Sequence, residues 1–310
     1  MRIVTVGAGS LGCLVSACLA KSKEEVWILD KNKERAAHIN QHGINVEGVG
    51  GKWHISLKAT IEPKEIKGPD LVIICVKSYH TKEAVKNVLS ILEDDTKVLT
   101  LQNGLGNVEI ISEVVGIERV IGAVTNLGAT LLNIGHVNYA GKGETIIGRM
   151  DGKISSQMRT IREIFNKAGL ETKISRDIKG IIWSKLIINV GINALTAITR
   201  LPNGKLLEFE GTHKILREAV SEATRIAKRK RIKLIYDDPL AKVEAVCEAT
   251  ATNICSMLQD VLKKKRTEID FINGVIVRQG QELGIPVPIN SMLVDLVKTI
   301  EASYNLAIEN

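Results

Sequence analysis

A chain of 310 residues exceeds the usual size of one domain and is long enough for two, each with its own apolar core. With 45% hydrophobic and 25% charged residues it is neither disordered nor fibrous, and no uninterrupted apolar run approaches the ~18 residues of a membrane span. The formal charge of +7 is densest at Lys228-Arg229-Lys230-Arg231 and Lys263-Lys264-Lys265-Arg266; with only 3% aromatics to stack on bases, these runs read as solvated helix ends or an anion-attracting rim, not as a nucleic-acid surface.

Residues 2–6 (Arg-Ile-Val-Thr-Val) form a short apolar run that stops at Gly7, and apolar positions then recur at helical spacing from Ser10 to Lys21. Met1-Arg2-Ile3 leads into a glycine turn and not into a small-residue cleavage site, so no signal peptide is expected and the predicted location is cytoplasmic. Further apolar runs at 26–29, 71–76, 98–101 and 120–124 are separated by segments long enough for helical crossovers, such as 81–92. Strands alternating with helices predict parallel βαβ units. Glycines at 128, 135, 141, 143 and 148 punctuate short alternating runs, which predicts extra antiparallel strands, followed by a helix near 155–168 and a strand near 171–174.

After Asp177 the pattern becomes almost entirely helical, with amphipathic segments at 178–198, 213–231, 239–258, 267–283 and 290–307 and prolines 202, 239 and 286 at the breaks. The predicted organisation is α/β, with a dinucleotide-binding domain over 1–175 and an all-helical substrate and catalytic domain over 176–310. The five cysteines, Cys13, Cys18, Cys75, Cys247 and Cys255, are odd in number and lack C-x-x-C spacing, so they read as small buried hydrophobes.

Gly7-Ala8-Gly9-Ser10-Leu11-Gly12 matches G-x-G-x-x-G. The motif follows a predicted strand, opens a helix, and is trailed by an acid, Asp30, at the end of the next strand. The first glycine permits a tight turn, the second lets backbone approach a pyrophosphate, and the third packs helix on strand. Phosphates then meet the N–H groups at the positive end of the helix dipole. Asp30 is placed to accept from an adenosine ribose diol, favouring NADH, whereas Lys31 could pair with a 2′-phosphate, favouring NADPH. Lys77 and Gln102-Asn103-Gly104 fall just past the carboxyl ends of the third and fourth strands, where doubly wound sheets bind ligands. A solvated lysine and a plain turn are the alternatives there.

In the helical part, Lys185, Asn189 and Asn193 lie four residues apart and form one polar stripe on an otherwise very apolar helix. A buried polar row needs partners. On one straight helix Ser256 and Glu268 would stand about 18 Å apart, too far to share a small substrate. Thr267 and Asp270 fit a capping-box-like start, with Thr267 as N-cap, which predicts a break near 261–266 that folds Glu268 back towards Ser256.

Taken together, the glycine motif, Val76-Lys77, Gln102-Asn103-Gly104, Trp183-Ser184-Lys185-Leu186 with Asn189 and Asn193, Leu201-Pro202-Asn203-Gly204, Ser256-Met257-Leu258-Gln259-Asp260 and Thr267-Glu268-Ile269-Asp270 resemble the ketopantoate reductase family along essentially the whole chain. The resemblance implies a Rossmann-like domain followed by a helical domain of the 6-phosphogluconate-dehydrogenase kind. It implies reduction of 2-dehydropantoate to (R)-pantoate, on the route to pantothenate and coenzyme A. It further implies Lys185 as general acid, Glu268 on the substrate hydroxyl or the lysine, Ser256 on the substrate carboxylate, Asn189, Asn193 and Asn203 as positioning groups, and Asn103 where nicotinamide meets substrate. The cofactor-binding set is Gly7, Ala8, Gly9, Ser10, Leu11, Gly12, Asp30, Lys31, Lys77 and Asn103.

The expected cofactor is NADPH, with NADH as the alternative because Asp30-Lys31 replaces the apolar or small residue and arginine common in the family. The expected partner is a small-molecule substrate, with no nucleic acid, membrane or metal, and a homodimer fits the long apolar helical part. Two other readings stay open. One is a related 2-oxoacid or β-hydroxyacid dehydrogenase of the same architecture; the other is a non-catalytic NAD(P)H-sensing regulator.

Overall fold

A computed structural model describes residues 1–306 and divides them into two compact units. The first comprises residues 1–102 and 107–178, the second 103–106 and 179 onwards.

The first unit opens with β1 (Arg2–Val6), α1 (Ser10–Lys21), β2 (Glu25–Leu29), α2 (Lys33–His42), β3 (Ile44–Gly48), β4 (Trp53–Ile55) and β5 (Lys58–Thr60). It continues through β6 (Leu71–Ile74), α3 (Thr81–Val88), β7 (Lys97–Thr100), α4 (Asn107–Val115) and β8 (Val120–Thr125). The last elements are β9 (Gly128–Asn133), β10 (His136–Gly141), β11 (Thr145–Gly148), α5 (Ser156–Lys167) and β12 (Thr172–Ile174). The main sheet has the order β12-β11-β8-β7-β6-β1-β2-β5 and is parallel except where β11 meets β8. Its central strands are covered on both faces, which is why Leu71–Ile74 is a continuous apolar run with every residue buried. Ile3, Leu14, Ile28, Leu71, Leu99 and Phe165 lie in one core. Each such side chain contributes about 1.5–3 kcal/mol by leaving water.

A second sheet, ordered β4-β3-β10-β9, lies over α1. The glycine-rich region supplies the antiparallel pair β9–β10 expected from the sequence, but β10 also pairs in parallel with β3. Neither β3, β4, β5, α2 nor α4 is among the expected elements. In α2 only Ala36 and Ile39 are buried, so it shows almost no apolar periodicity; its start is fixed instead by Asn32, whose side chain accepts from the Arg35 N–H at 2.8 Å.

The second unit consists of α6 (Ile178–Thr199, counted from its first turn), α7 (Glu210–Arg229), α8 (Pro239–Ala249), α9 (Ser256–Leu262), α10 (Asn273–Leu283) and α11 (Pro288–Ala302). By length and composition α6 could cross a membrane, yet most of it is buried in this unit's own core with Trp183, Leu186 and Val190.

Three helix boundaries differ from expectation, each for a visible reason. The segment expected as one helix over 239–258 stops at Ala249, because the N–H groups of Asn203 and Gly204 take the carbonyls of Asn253 and Ala251, which a continuous helix would keep. The helix expected from 267 begins at Asn273. Thr267 does not cap it: its hydroxyl accepts from the Ile269 N–H in a local turn, and the Phe271 carbonyl is turned out to accept from Leu105 N–H at 3.0 Å. The last helix runs from Pro288 to Ala302, short of the expected 307, which lies outside the described residues.

The buried carboxylate of Glu222 on α7 holds the start of α11, accepting from the N–H groups of Ile289 and Asn290 at 3.0 and 2.9 Å and from the Asn290 side chain at 2.7 Å. Glu222→Ala removes the acceptor of both backbone N–H groups and leaves the Asn290 amide only the Ala219 carbonyl. Its expected cost is about 2–4 kcal/mol, read as a lower guanidinium midpoint with an unchanged m-value.

Candidate active site

The nucleotide cradle is built where β1 ends and α1 begins. Gly7 has φ +103°, a conformation that favours glycine, and a Cβ there would meet Val76 at 2.9 Å. A Cβ on Gly12 would come within 2.0 Å of the Gly7 carbonyl oxygen, so helix and turn touch backbone to backbone. At Gly9 a Cβ would meet nothing within 4 Å: the space beside this helix start is open. Gly9 is the N-cap, offers no side-chain hydrogen bond to the first turn, and is followed by no acid there. The first N–H groups of a helix have no partner inside it. An open, uncapped, acid-free helix start fits a pyrophosphate.

Asp30, at the end of β2, is buried and already engaged. One carboxylate oxygen accepts from the Ala8 N–H at 2.7 Å and from Arg35 at 2.9 Å; the other accepts from the Asn32 N–H at 2.9 Å. It therefore braces the glycine turn from below. Arg35, which the sequence reading did not single out, is held on it with its side chain one-third exposed, and Lys31 beside them is exposed and lies 3.7 Å from Glu83. The only sequence signal for Arg35 is its place in the first turn of a helix that periodicity does not reveal.

Lys77 stands just past β6 as the cap of a short turn over 78–80. Gln102, just past β7, donates from its amide to the Val76 carbonyl and to the Thr81 hydroxyl, both at 2.8 Å. Thr81 in turn reaches Asn107 at 2.9 Å, and Asn107 donates to Ser78 at 3.1 Å. This polar knot ties the two strand ends together. Ser78, Thr81 and Asn107 were invisible in the sequence because they belong to no periodic stripe.

In the second unit, α6 carries Lys185, Asn189 and Asn193 on successive turns, with Asn193 buried and the other two half-buried. Burial pushes the Lys185 amine down to about 8, while the carboxylate of Glu268 opposes that fall. Glu268 is buried and lies close enough to Lys185 for its charge to be felt there. The basic stretch after α9 turns at Lys263–Lys265, where the N–H groups of Lys263 and Lys265 return to the Asp260 carbonyl. The chain then reverses, with the Thr267 N–H donating to Glu301 at 2.7 Å.

Asn203 is buried. Its amide donates to Thr250 at 2.9 Å, and its Oδ1 finds no hydrogen-bond partner among the described residues. A buried unpaired acceptor of this kind fits a ligand that brings a donor. Asn103 belongs to the same unit: Leu105 N–H reaches the Phe271 carbonyl, and a Cβ on Gly104 (φ +85°) would sit 2.5 Å from that oxygen. The Phe271 N–H donates to the Glu268 carbonyl at 3.0 Å, so the Asn103-Gly104 turn packs on the turn that carries Glu268. Ser256 is the first residue of α9 and half-buried. Among the described residues no group of three or more histidine, cysteine or acidic side chains could hold a metal.

A largely parallel sheet with an open glycine turn at the start of α1, together with a half-buried lysine held between desolvation and a carboxylate, is the pattern of a dinucleotide-dependent oxidoreductase. Residues 3–152 match the family model described as ketopantoate reductase PanE/ApbA, and residues 177–301 match that family's C-terminal model. A 2-dehydropantoate 2-reductase of Pyrococcus horikoshii is 38% identical over 302 residues, covering 97% of this chain and 98% of its own. The crystal structure of a PanE/ApbA family ketopantoate reductase from Ralstonia eutropha superposes with a TM-score of 0.92 at 33% identity, covering 98% of this chain and all of its own. A D-mandelate dehydrogenase solved with NADH and anilino(oxo)acetate superposes equally well, with a TM-score of 0.92 at 27% identity over 99% of this chain and 100% of its own. The chain belongs to the ketopantoate reductase family.

Since a methyl group at Gly12 would collide with backbone and not with a movable side chain, Gly12→Ala is expected to weaken dinucleotide binding by about two orders of magnitude. Titration of reduced-nicotinamide fluorescence measures it; binding within a few-fold of the unaltered protein would show that the α1 start is not the phosphate site.

Proposed function

We propose that this chain reduces 2-dehydropantoate to (R)-pantoate at the expense of a reduced nicotinamide dinucleotide, a step towards pantothenate and coenzyme A. The observation that carries the reading is Lys185: a buried-side amine on the polar stripe of α6, drawn down to about 8 and facing the charge of Glu268. The cofactor, when bound, supplies the hydride. Hydride addition at a ketone carbon leaves an alkoxide, and the Lys185 Nζ both stabilises that charge and gives it a proton. An amine titrating near neutrality is better matched to this transfer than one at the usual lysine value. Ser256 takes the substrate carboxylate, Glu268 orients the lysine or the substrate hydroxyl, and Asn103, Asn189, Asn193 and Asn203 position the rest. The unpaired Oδ1 of Asn203 supports its share. The enzyme is read as cytoplasmic, with a homodimer as its expected assembly.

Lys185→Ala is expected to keep cofactor binding and to lower kcat by about 10²–10⁴-fold. Reduction needs the protonated amine, so its rate should fall as pH rises through about 8, while oxidation of pantoate should rise through the same interval. Glu268 holds the amine up, so Glu268→Gln should move that limb to lower pH. A limb unmoved by Glu268→Gln, or near-normal turnover in Lys185→Ala, removes the lysine from the chemistry.

For the cofactor the reading is NADPH. The Asp30 carboxylate accepts three hydrogen bonds of the roughly four it can take, which leaves little for a ribose diol, and Arg35 offsets its charge. Arg35 and exposed Lys31 then offer two cations to a 2′-phosphate. Arg35→Ala with Lys31→Ala should raise KM for NADPH about tenfold or more and leave KM for NADH within about twofold; the opposite pattern assigns NADH. The NADH-bound D-mandelate dehydrogenase motivates that second reading, and with it a bulkier 2-oxoacid. Initial rates on 2-dehydropantoate, 2-oxoisovalerate, oxaloacetate and the oxidised form of mandelate, with each cofactor, separate the two.

A further inference from the structure

Cys255 is more than the small core hydrophobe that its apolar surroundings in the sequence suggest. It caps α9, its sulfur accepting from the Leu258 N–H at 3.4 Å. The same sulfur lies 2.8 Å from Oγ1 of Thr196 on α6, and that hydroxyl reaches the Asn193 carbonyl at 3.0 Å. Sulfur and carbonyl are themselves 3.8 Å apart. One placement of hydrogens satisfies every group: Leu258 N–H to sulfur, S–H to Thr196 Oγ1, and O–H to the Asn193 oxygen. Burial pushes the thiol up, so its hydrogen stays on sulfur at neutral pH and remains available to donate. Thr196 is fully buried.

The ends of this relay are the point of interest. Asn193 closes the polar stripe of α6, and Ser256 directly follows Cys255. The relay crosses sixty residues of chain to fasten the backbone of one to the neighbour of the other, and nothing in the core packing of α9 through Met257 and Val261 would by itself fix the first residue of so short a helix. A donor–acceptor chain has direction as well as contact, so it fixes orientation more sharply than apolar packing does.

We propose that Cys255 and Thr196 are a positioning pair that sets Ser256 against Asn193 and thereby tunes recognition of the substrate's carboxylate end. The pair touches neither substrate nor cofactor. The proposal rests on the reading of Ser256 as a substrate ligand.

Steady-state kinetics on the full-length protein test it. Thr196→Val keeps volume and Cys255→Val keeps the position apolar with one more γ-methyl, and both break the relay; each is expected to raise KM for the 2-oxoacid about tenfold, with kcat and the KM of the reduced dinucleotide within about twofold. Cys255→Ser keeps donor and acceptor and should stay within about threefold of the unaltered enzyme. The double variant should be no worse than either single one, since both break the same relay. If a valine variant fails to fold, Cys255→Ala and Thr196→Ser take its place, the first expected to behave as Cys255→Val and the second as the unaltered enzyme. An unchanged oxoacid KM in the valine variants, whether or not Tm falls, overturns the pair, as does a Cys255→Ser variant as impaired as Cys255→Val. Ser256→Ala distinguishes the failures: if it leaves the oxoacid KM unchanged, the substrate reading of Ser256 falls, whereas a raised KM there with none in Cys255→Val removes the positioning pair alone.

Discussion

The helical unit is organised around one electrostatic constraint, the placing of an ammonium group on a helix whose other residues are driven out of water. Helix α6 is so apolar that it meets the composition of a membrane span, yet it carries Lys185 in its first half. Desolvation favours the neutral form of such an amine. The carboxylate of Glu268 opposes that, and it reaches the lysine's neighbourhood only because the chain breaks after α9 and returns. The break in the basic stretch, the Thr267–Glu301 contact and the turned-out Phe271 carbonyl are all local costs of delivering one negative charge to one place. Lys263 to Arg266 are exposed because they form the outside of that reversal.

The first unit shows the converse arrangement, an absence of side chains around the start of α1. Gly7, Gly9 and Gly12 serve three different ends there: a left-handed φ, open space and backbone contact. Asp30 completes the turn from beneath, so the acid that the fingerprint reserves for a ribose here also supports the Ala8 amide. Its pairing with Arg35 brings the charge at the end of β2 from negative to near neutral, and exposed Lys31 stands beside the pair.

Legibility followed periodicity. The strands 2–6, 26–29, 71–76, 98–101 and 120–124, and α1, α5 and α6, were plain because continuous apolar runs or helical stripes mark elements that bury a face. The polar α2 was not, since two buried residues make no stripe; β4 and β5, at three residues each, carry too few positions to alternate, and β3 buries only Ile44 and Val46 among polar residues and a glycine. The split of 239–258 into two helices was equally hidden: the residues that break it, Asn203 and Gly204, lie far away in the chain. At the candidate site, Lys185, Asn189 and Asn193 stand out as polar residues on an apolar helix, and the break expected near 261–266 is present, α9 ending at Leu262. Arg35, Thr250 and the Gln102–Thr81–Asn107 knot could not be found this way, because a hydrogen bond between distant residues leaves no trace in local spacing. Cys255 was only half read for the same reason: it packs against the helical core as expected, but its sulfur also caps α9.

Residues 103–106 cluster with the helical unit although the chain on both sides of them belongs to the other. Gly104 fits against the Phe271 carbonyl with no room for a side chain, so these four residues and the Glu268 turn are matched surfaces. The helical unit is therefore discontinuous in the gene as well as in the chain. A single recombination point near residue 178, the natural place to exchange the second unit between relatives, would separate the two matched pieces into different parents. Exchange of the helical unit should thus succeed only where both parents carry compatible 103–106 segments, and drift at Phe271 is tied to drift at Gly104 across a sequence gap of more than half the chain.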